Sequence, residues 1–511
     1  MPFEDLIREY QQRKDKALAM GGAEKLAQRK AQGYLNARER IDYLLDPGSL
    51  QEIGLFTTSS RPEVRDKTPA DGKVTGFGKI NGRNVAVISN DLTVMGASSA
   101  VTNGKKIKFM KQVSSRRGLP LVFLAESSGA RMPDRMGALG RTIAGLDPNE
   151  FLRLRETPWI SALLGPCYGS STWYACMSDF VVMRKGAAMA VSSNKVTSGA
   201  IGQPIDAEEL GGWRLHAEKS GLVDAVVDTD KEALDKVKQF LSYMPSHHNE
   251  LPPEAPVPEN SDAACKEMLK LLPEARTAVY DVRKIIGAVS DTGSGFELKP
   301  RFGKPITTAL ARLDGKTVGF IANNPLFKGG AMDVDACNKA ISFIVLCDSY
   351  NIPIVFLVDQ PGFLIGVEGE MRAAPGRIIN WMNALPLCTV PRLSIIMRKS
   401  YGQGYLNMGG SQNSDQNACW ISADLGFMDP VLSVKVVYGI TEQDDPARFK
   451  EALAEMNRNS APWDLAALFE THDIIDPRDT RDWLIKALDV HRLRLNDGIG
   501  QHRLSSWPTT F

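Results

Sequence analysis

The sequence is short of the groups that ordinarily carry catalysis. Six histidines occur in 511 residues, at 216, 247, 248, 472, 491 and 502, and none is paired with an acid at metal-ligand spacing. There is no GxSxG elbow, no GxxxxGK[ST] loop, and no GxGxxG opening a βαβ unit. The seven cysteines (167, 176, 265, 337, 347, 388 and 419) are odd in number and never spaced as CxxC, which excludes a zinc ribbon and a disulfide framework and points to a reducing compartment. Charge of one sign is also missing: 61 basic against 60 acidic residues leave +1, no field for nucleic acid or an anionic membrane surface. No apolar run reaches the ~20 residues a membrane span needs. The first residues, MPFEDLIREYQQRKDKALAMGG, lack the apolar core of a signal peptide, so a cytoplasmic protein is expected.

What the chain does have is an echo. GLPLVFLAESSGARM at 118–132 is answered by NIPIVFLVDQPGFLI at 351–365. Each is an apolar run that begins beside a proline, carries an acid near its end (Glu126, Asp359) and breaks into a glycine turn (Gly129, Gly362). This pattern predicts a buried central strand emptying at the C-terminal edge of a sheet, where open α/β folds place their ligands. The two glycines stand 233 residues apart, and the same offset pairs Gly82 with Gly315, Val85 with Val318, Asn90 with Asn323, Pro120 with Pro353 and Tyr168-Gly169 with Tyr401-Gly402. Register held over that length marks an internal duplication. With 43% apolar residues, the chain suits two copies of a domain of about 230 residues.

In chain order, residues 3–45 predict a long solvated helical arm ending at Asp46-Pro47-Gly48-Ser49. Residues 72–95 predict a hairpin with Asn81-Gly82 as a type I′ turn, matched by Asp314-Gly315 in the second copy. An amphipathic helix then leads into the strand at 119–126. Further on, LLGPCYGSSTWYACMSDFVVM (163–183) and SIIMRKSYGQGYLNMGG (394–410) each predict strand, Gly-rich turn and helix start. MPSHHNELPPEAPVPENSD (244–262), rich in Pro and Glu, is the expected linker between an N-terminal domain (1–250) and a C-terminal domain (263–511).

The repeated feature is therefore backbone: consecutive N–H groups at the positive end of a helix dipole. Chemistry that needs only such donors is oxyanion stabilisation, as when a thioester carbonyl becomes an enolate, and one donor is worth about 3 kcal/mol of barrier. Two half-sites suggest two carbonyl-bearing reactants. Arg131 has two readings of equal weight, a phosphate ligand or a helix-start residue with a carboxylate partner. Lys105, Lys106 and Lys108 are expected on a solvated helix face, His216 as a satisfied structural histidine, and Trp173 and Tyr174 in the core. Glu126 and Asp359 are expected to orient loops or cap turns.

The motifs ARERIDYLLDPGSLQEIG (37–54), DGKVTGFGKINGR (71–83), SSGARM (127–132), GPCYG (165–169), EELGGWRLHAEKSGLVD (208–224), YDVRKIIGAVSDTGSGFE (280–297), KAISFIVLCDSYNIPIVFLVDQPGFLIG (339–366) and SYGQGYLNMGG (400–410) stand in an order and spacing that resembles the carboxyltransferase (β) subunit of biotin-dependent acyl-CoA carboxylases, of the propionyl-CoA carboxylase type. The resemblance implies an α/β fold of two tandem crotonase-like (ClpP/crotonase) domains. It implies that carboxybiotin on a partner releases carbon dioxide, that the freed biotin takes the α-proton of an acyl-CoA, and that the enolate attacks the carbon dioxide. Carried to matching positions, it places the acyl-CoA oxyanion hole at Gly169 and Ser170 and the biotin-side hole at Gln403 and Gly404. Ser128, Gly129, Arg131, Gly362, Phe363, Tyr405 and Leu406 become substrate- and cofactor-binding residues, Leu406 at the position that tunes acyl-chain choice; no metal is implied.

The chain departs from the family pattern at Ser128, Ser170 and Gln403, and has TSGAIGQP (197–204) where the family reads TGE. A backbone donor survives Gly→Ser, while the added Cβ narrows the approach. No Met-Lys-Met biotinyl site is present. The resemblance therefore implies a biotin carboxylase/biotin carboxyl carrier (α) subunit as partner and a hexameric homo-oligomer. Two other readings accompany it: the same fold working in the decarboxylating direction, and a non-catalytic carboxyltransferase-like scaffold.

Overall fold

The computed structural model describes residues 3–135, 137–138, 150–493 and 495–508. The chain divides into two compact units, Met1–His248 and Asn249–Phe511. The Pro-rich stretch 244–262 spans that division, and its later part is tied to the second unit: Ala255 N–H donates to Gly315 O (2.9 Å) and Arg312 to Pro253 O (2.8 Å).

The first unit is built on strands β1 (Gln51–Ile53), β2 (Lys73–Ile80), β3 (Arg83–Asn90), β4 (Leu121–Ser127), β5 (Trp159–Tyr168), β6 (Phe180–Arg184), β7 (Ala188–Ala190) and β8 (Ala225–Val227). They pair in the order β1-β2-β3-β4-β5-β6-β8, with β7 added to β5; β1, β2 and β3 are antiparallel and every later pairing is parallel. The second unit repeats this with β9 (Phe296–Leu298), β10 (Ile306–Leu313), β11 (Lys316–Asn323), β12 (Ile354–Gln360), β13 (Arg392–Tyr401), β14 (Gln416–Trp420), β15 (Asp424–Gly426) and β16 (Asp473–Ile475), ordered β9-β10-β11-β12-β13-β14-β16, with β15 on β13.

The duplication is visible residue by residue. Strands β2 to β5 begin and end 233 positions before β10 to β13, and the isolated bridges Ser99–Ala130 and Met332–Phe363 keep the same offset. After Gly402 the register drifts, so the later strands correspond in pairing but not in spacing. All seven residues of β4 and of β12 are buried, as a parallel strand covered on both faces requires. The hairpin turns are of type I′, with positive φ at Asn81 (50°) and Gly82 (79°) and at Asp314 (53°) and Gly315 (75°).

In the first unit, one face of the sheet buries Ile88, Leu121 and Phe123 against Ile107 and Met110 of the helix Val101–Arg117 and Tyr174 of the helix Ser170–Met177. Phe123 and Tyr174 stack at 5.1 Å, which fixes the second helix over the end of β4. The expected single helical arm is instead three helices, Phe3–Leu18, Ala23–Ala31 and Ala37–Leu44. The chain turns at Gly22 (φ 95°) and Gly33 (φ 77°), and Asn36 starts the third helix with a capping box to Glu39. Glycine placement overrode the uniform polar composition of the segment.

Candidate active site

The end of β4 is held from below. The register with β5 shifts at Glu126, Ala125 lying opposite Leu163 but Ser127 opposite Cys167; β12 and β13 shift at the matching place, around Asp359. Glu126 accepts from Arg29 (2.5 Å) and from Arg40 (2.7 Å), whose Nε reaches Asp230 (2.9 Å). Asp230 also pairs with Arg184 (2.7 Å). Burial alone pulls the Arg40 pKa down, and the charges of Glu126 and Asp230 more than reverse this to a net rise. Asp359, also buried, faces Arg398 (3.6 Å) and Lys399 (3.8 Å); burial pushes its carboxyl up, against the pull of those two cations. The two acids, expected to orient loops or cap turns, are buried ion-pair partners, and Asp359 also accepts from Lys399 N–H (3.3 Å).

Above this base stands the Ser127–Arg131 turn. Ser128 N–H donates to Gly96 O (2.9 Å), Ser99 N–H to Gly129 O (2.8 Å), and Arg131 N–H to Ser99 O (2.9 Å). Gly129 has φ 103°, open only to glycine at low cost. The Arg131 guanidinium is 2% exposed and donates to Asp71 Oδ1 (2.7 Å) and Ser98 Oγ (3.2 Å). The structure therefore gives Arg131 a carboxylate partner, and its side chain braces the turn.

Gly169 follows β5 with φ 65° and ψ −122° and starts the helix Ser170–Met177. A Cβ built on it would lie 3.7 Å from Gly129 Cα, so the two glycine turns face one another. Ser170, half-buried, has its hydroxyl 2.6 Å from that of Ser99. Ser128 is exposed beside them. The first-turn N–H groups of a helix have no intrahelical acceptor, so this start presents donors beside the Gly129 turn.

In the second unit Gly402 adopts a closely similar conformation, φ 57° and ψ −145°, and its N–H donates to Gly426 O (3.1 Å). Gln403 is exposed and lies 3.4 Å from Asn407 Oδ1 through Nε2. Gly404 is buried against the carboxamide of Gln360, with which any Cβ would collide. Gln360 Nε2 reaches Tyr401 O (3.3 Å) and its Oε1 is buried without a hydrogen-bond partner among the described residues. The Tyr405 hydroxyl accepts from Ser411 N–H (2.9 Å), Asn413 donates to Leu406 O (3.2 Å), and the Phe363 ring meets Trp381 edge-on at 6.4 Å. Gly362 has φ 120°. The first unit thus brings Ser128, Gly129, Gly169 and Ser170 together, while in the second the two turns meet through the contact of Gly404 with Gln360, two residues before Gly362.

Some side chains differ from expectation. Lys105 and Lys108 are exposed, but Lys106 is 7% exposed and donates to the carbonyls of Gly54 (3.1 Å), Ala70 (3.0 Å) and Lys73. Its duplicate, Lys339, likewise binds Lys299 O (2.8 Å) and Phe302 O (3.0 Å), so the helix turns one lysine inward to close a loop. Trp173 is 39% exposed, whereas Tyr174 is buried. His216 contacts Met189 O (2.6 Å) and Ser220 Oγ (3.0 Å), a structural histidine. Sequence reasoning missed Asp71, Ser99 and Gln360. Gln360 could have been found, because the 233-residue offset sets it against Ser127.

Comparison with known proteins follows the same lines. The family model described as "Carboxyl transferase domain" matches residues 28–497. The propionyl-CoA carboxylase carboxyltransferase subunit of Haloferax mediterranei is 34% identical over 501 residues, covering 96% of each chain. The methylmalonyl-CoA decarboxylase subunit alpha of Propionigenium modestum is 31% identical over 494 residues, covering 95% of each. A crystal structure of transcarboxylase 12S, described as a hexamer with methylmalonyl-coenzyme A and methylmalonic acid bound, superposes with a TM-score of 0.89 at 31% identity, covering 97% of each chain.

Proposed function

The chain belongs to the carboxyl transferase domain family, with two crotonase-like α/β units, and from that premise we propose that it moves a carboxyl group from carboxybiotin, carried on a partner protein, to the α-carbon of an acyl-CoA. The observation that carries this reading is the matched pair of glycine-led helix starts at Gly169 and Gly402, one in each copy of the duplicated sheet. We assign the first unit (1–250) to the acyl-CoA and the second (263–511) to the biotin, with 244–262 as the linker between them.

In the first unit the N–H groups at Gly169 and Ser170, with Gly129 opposite, would receive the thioester oxygen as it gains negative charge. Their positions are fixed before substrate arrives, by the Phe123–Tyr174 stack and the Glu126 ion pairs, so little reorganisation accompanies charge development. In the second unit Gln403 and Gly404 would receive the ureido oxygen, and the Gln360 carboxamide keeps Gly404 free of a side chain. When bound, carboxybiotin supplies the carbon dioxide and a base. The residues here bind, orient and stabilise charge; the fit rests on the glycine-led helix start at Gly402, packed tightly because a Cβ at 404 would collide with the Gln360 carboxamide.

An oligomer is supported by apolar residues exposed at corresponding places in the two units, on and just before the helices Asn194–Ile201 and Pro430–Tyr438: Val191, Val196 and Ile201 in the first, Phe427, Leu432 and Val437 in the second. We propose a homohexamer, the assembly described for transcarboxylase 12S, with a biotin carboxylase/carrier subunit as partner. Seven free cysteines fit a cytoplasmic location, and no helix among the described residues is long and apolar enough to cross a membrane.

The test is transcarboxylation by the purified chain, with malonyl-CoA or methylmalonyl-CoA incubated with free biotin or biocytin. Biotin-dependent release of acetyl-CoA or propionyl-CoA is expected; absence of turnover and of CoA-thioester binding in folded protein rejects the assignment. The likeness to a methylmalonyl-CoA decarboxylase subunit favours one second reading, the decarboxylating direction, which a membrane-bound partner purifying with the chain would reveal. Leu406, half-buried beside Tyr405, is proposed to bear on acyl-chain choice, the role that the family resemblance implies for its position. Leu406→Asp is expected to lower kcat/KM for the longest accepted acyl-CoA by about tenfold relative to acetyl-CoA, a difference of about 1.4 kcal/mol. An unaltered chain-length profile removes Leu406 from the selectivity set.

A further inference from the structure

The loop that joins the two halves of the acyl-CoA side has an unusual backbone. Met95, Gly96 and Ala97 are consecutive left-handed residues, with φ of 46°, 64° and 48°, and two of the three carry a Cβ. Gly96 O accepts from Ser128 N–H, and three residues further on Ser99 pairs with the Gly129 turn through its backbone and lies 2.6 Å from the Ser170 hydroxyl through its own. Any shift of this run would therefore move both Gly129 and Ser170.

The second unit solves the same problem differently. At the positions 233 further on stand Lys328, Gly329 and Gly330, with φ of 53°, 61° and 85°. The third left-handed residue is glycine there, and a Cβ at 330 would lie 2.5 Å from Asp359 O. Ala97 has no such relief. Beneath it, and only in the first unit, stands a lysine: Lys73 occupies the place of Ile306. Lys73 is 1% exposed, and its Nζ donates to Ala97 O at 2.7 Å. The same carbonyl accepts from Ser127 Oγ (3.2 Å), at the start of the 127–131 turn.

We infer that Lys73 is a positioning residue for the acyl-CoA side: its ammonium group, bound to Ala97 O, holds the left-handed run Met95–Ala97 in the conformation that sets Gly129 and Ser170 for the substrate oxygen. The inference rests on the assignment of acyl-CoA to the first unit. Lys73 touches no reacting atom. Its hydrogen bond is the charge-assisted kind, about twice as strong as one from a neutral amine.

The groups around the amine give the role a pH signature. Burial pushes Lys73 down to about 7; Asp71 opposes this, Arg131 on the turn and Lys106 on the helix Val101–Arg117 reinforce it, and Cys167 on β5 opposes it weakly. The strong donor is the protonated form, so positioning is complete below about pH 7 and weakens as pH rises through that value. For folding the sign is reversed. The unfolded amine keeps its proton up to about 10.5, so burial works against stability below pH 7 and this opposition fades between 7 and 10.5. Loss of Lys73 should therefore harm acyl-CoA turnover at pH 6 more than it harms stability.

The experiment compares wild type, Lys73→Met, Lys73→Arg and the double variant Lys73→Met/Ala97→Gly in the full chain, measuring acyl-CoA affinity, kcat and kcat/KM from pH 6 to 9, and Tm at pH 6. Lys73→Met is expected to lose about tenfold in kcat/KM for the acyl-CoA at pH 6, with Tm within a few degrees of wild type. The decline in wild-type activity through pH 7 should be absent from its profile, and Lys73→Arg, charged throughout, should retain activity to higher pH. Ala97→Gly should restore most of the loss, since glycine takes the left-handed conformation unaided. Wild-type kinetics in Lys73→Met overturn the inference, as does a double variant that stays slow or does not fold. If Lys73→Met alone does not fold and the double variant folds and turns over, the inference stands. Failure of wild type to bind any acyl-CoA thioester would instead strike the assignment on which the inference rests.

Discussion

Replacement of Gly169 by valine is expected to lower kcat with the acyl-CoA by about 10²–10³ while the protein stays folded. The argument is conformational rather than steric. A Cβ at 169 would meet Gly129 Cα at 3.7 Å, an ordinary contact, so space is not what forbids a side chain. The backbone there has φ 65° and ψ −122°, which a β-branched residue reaches only with strain. Valine would rotate the 169–170 peptide toward an allowed region and carry the Ser170 N–H away from the place where the thioester oxygen gains charge. Loss of one preorganised donor of this kind costs about 3–4 kcal/mol of transition-state stabilisation. The change should fall on kcat more than on KM, because the interaction strengthens as charge develops. Single-turnover kinetics and a circular-dichroism melt on the same preparation check it; unchanged turnover in folded protein would remove Gly169 from the site.

The second large effect is expected on stability. Arg40→Leu should destabilise the first unit by about 3–5 kcal/mol, the usual result of removing one partner from a buried ion pair. Arg40 is fully buried and bridges Glu126 (2.7 Å) to Asp230 (2.9 Å). Arg29 remains for the first carboxylate and Arg184 for the second, so neither is left wholly unpaired, which sets the effect toward the lower end. For a unit of this size the shift in its unfolding transition is roughly 6–20 °C. Activity should fall as well, because Gly165 lies directly on the Glu126 carboxylate and Asn90 donates to Glu126 O (2.6 Å), so loosening this residue loosens the strand β5 that leads into Gly169. Arg40→Lys should rescue little, since one ammonium lacks the forked donors that span two carboxylates. A loss below about 1 kcal/mol in denaturant titration would show that the network does not clamp the strand.

The two predictions divide the site into a part legible from sequence and a part that is not. Gly169 and Gly402 were visible because a left-handed turn between strand and helix leaves glycine as nearly the only choice, and duplication wrote that choice twice at one offset. The same holds for the Asn81-Gly82 and Asp314-Gly315 turns and for the unbroken apolar runs of β4 and β12. The charged residues were not legible in this way. Lys105, Lys106 and Lys108 read alike along a helix, and only the packed loop decides that Lys106 turns inward to the carbonyls of Gly54 and Ala70. Arg131 had two equal readings until Asp71, sixty residues earlier, was brought to 2.7 Å from it.

By itself the sequence determined the duplicated α/β architecture, the order strand, glycine turn and helix in each copy, and the places where backbone donors emerge. These follow from short-range rules, in which chain sterics and the two-residue period of a strand limit what each stretch can be. Only the tertiary structure decided which ionisable groups are buried and with whom: Glu126 with Arg29 and Arg40, Asp359 with Arg398 and Lys399, Lys73 with Ala97 O. A buried charge is tolerated only when partners distant in the chain arrive to neutralise or hydrogen-bond it, and that arrival is a property of the folded whole.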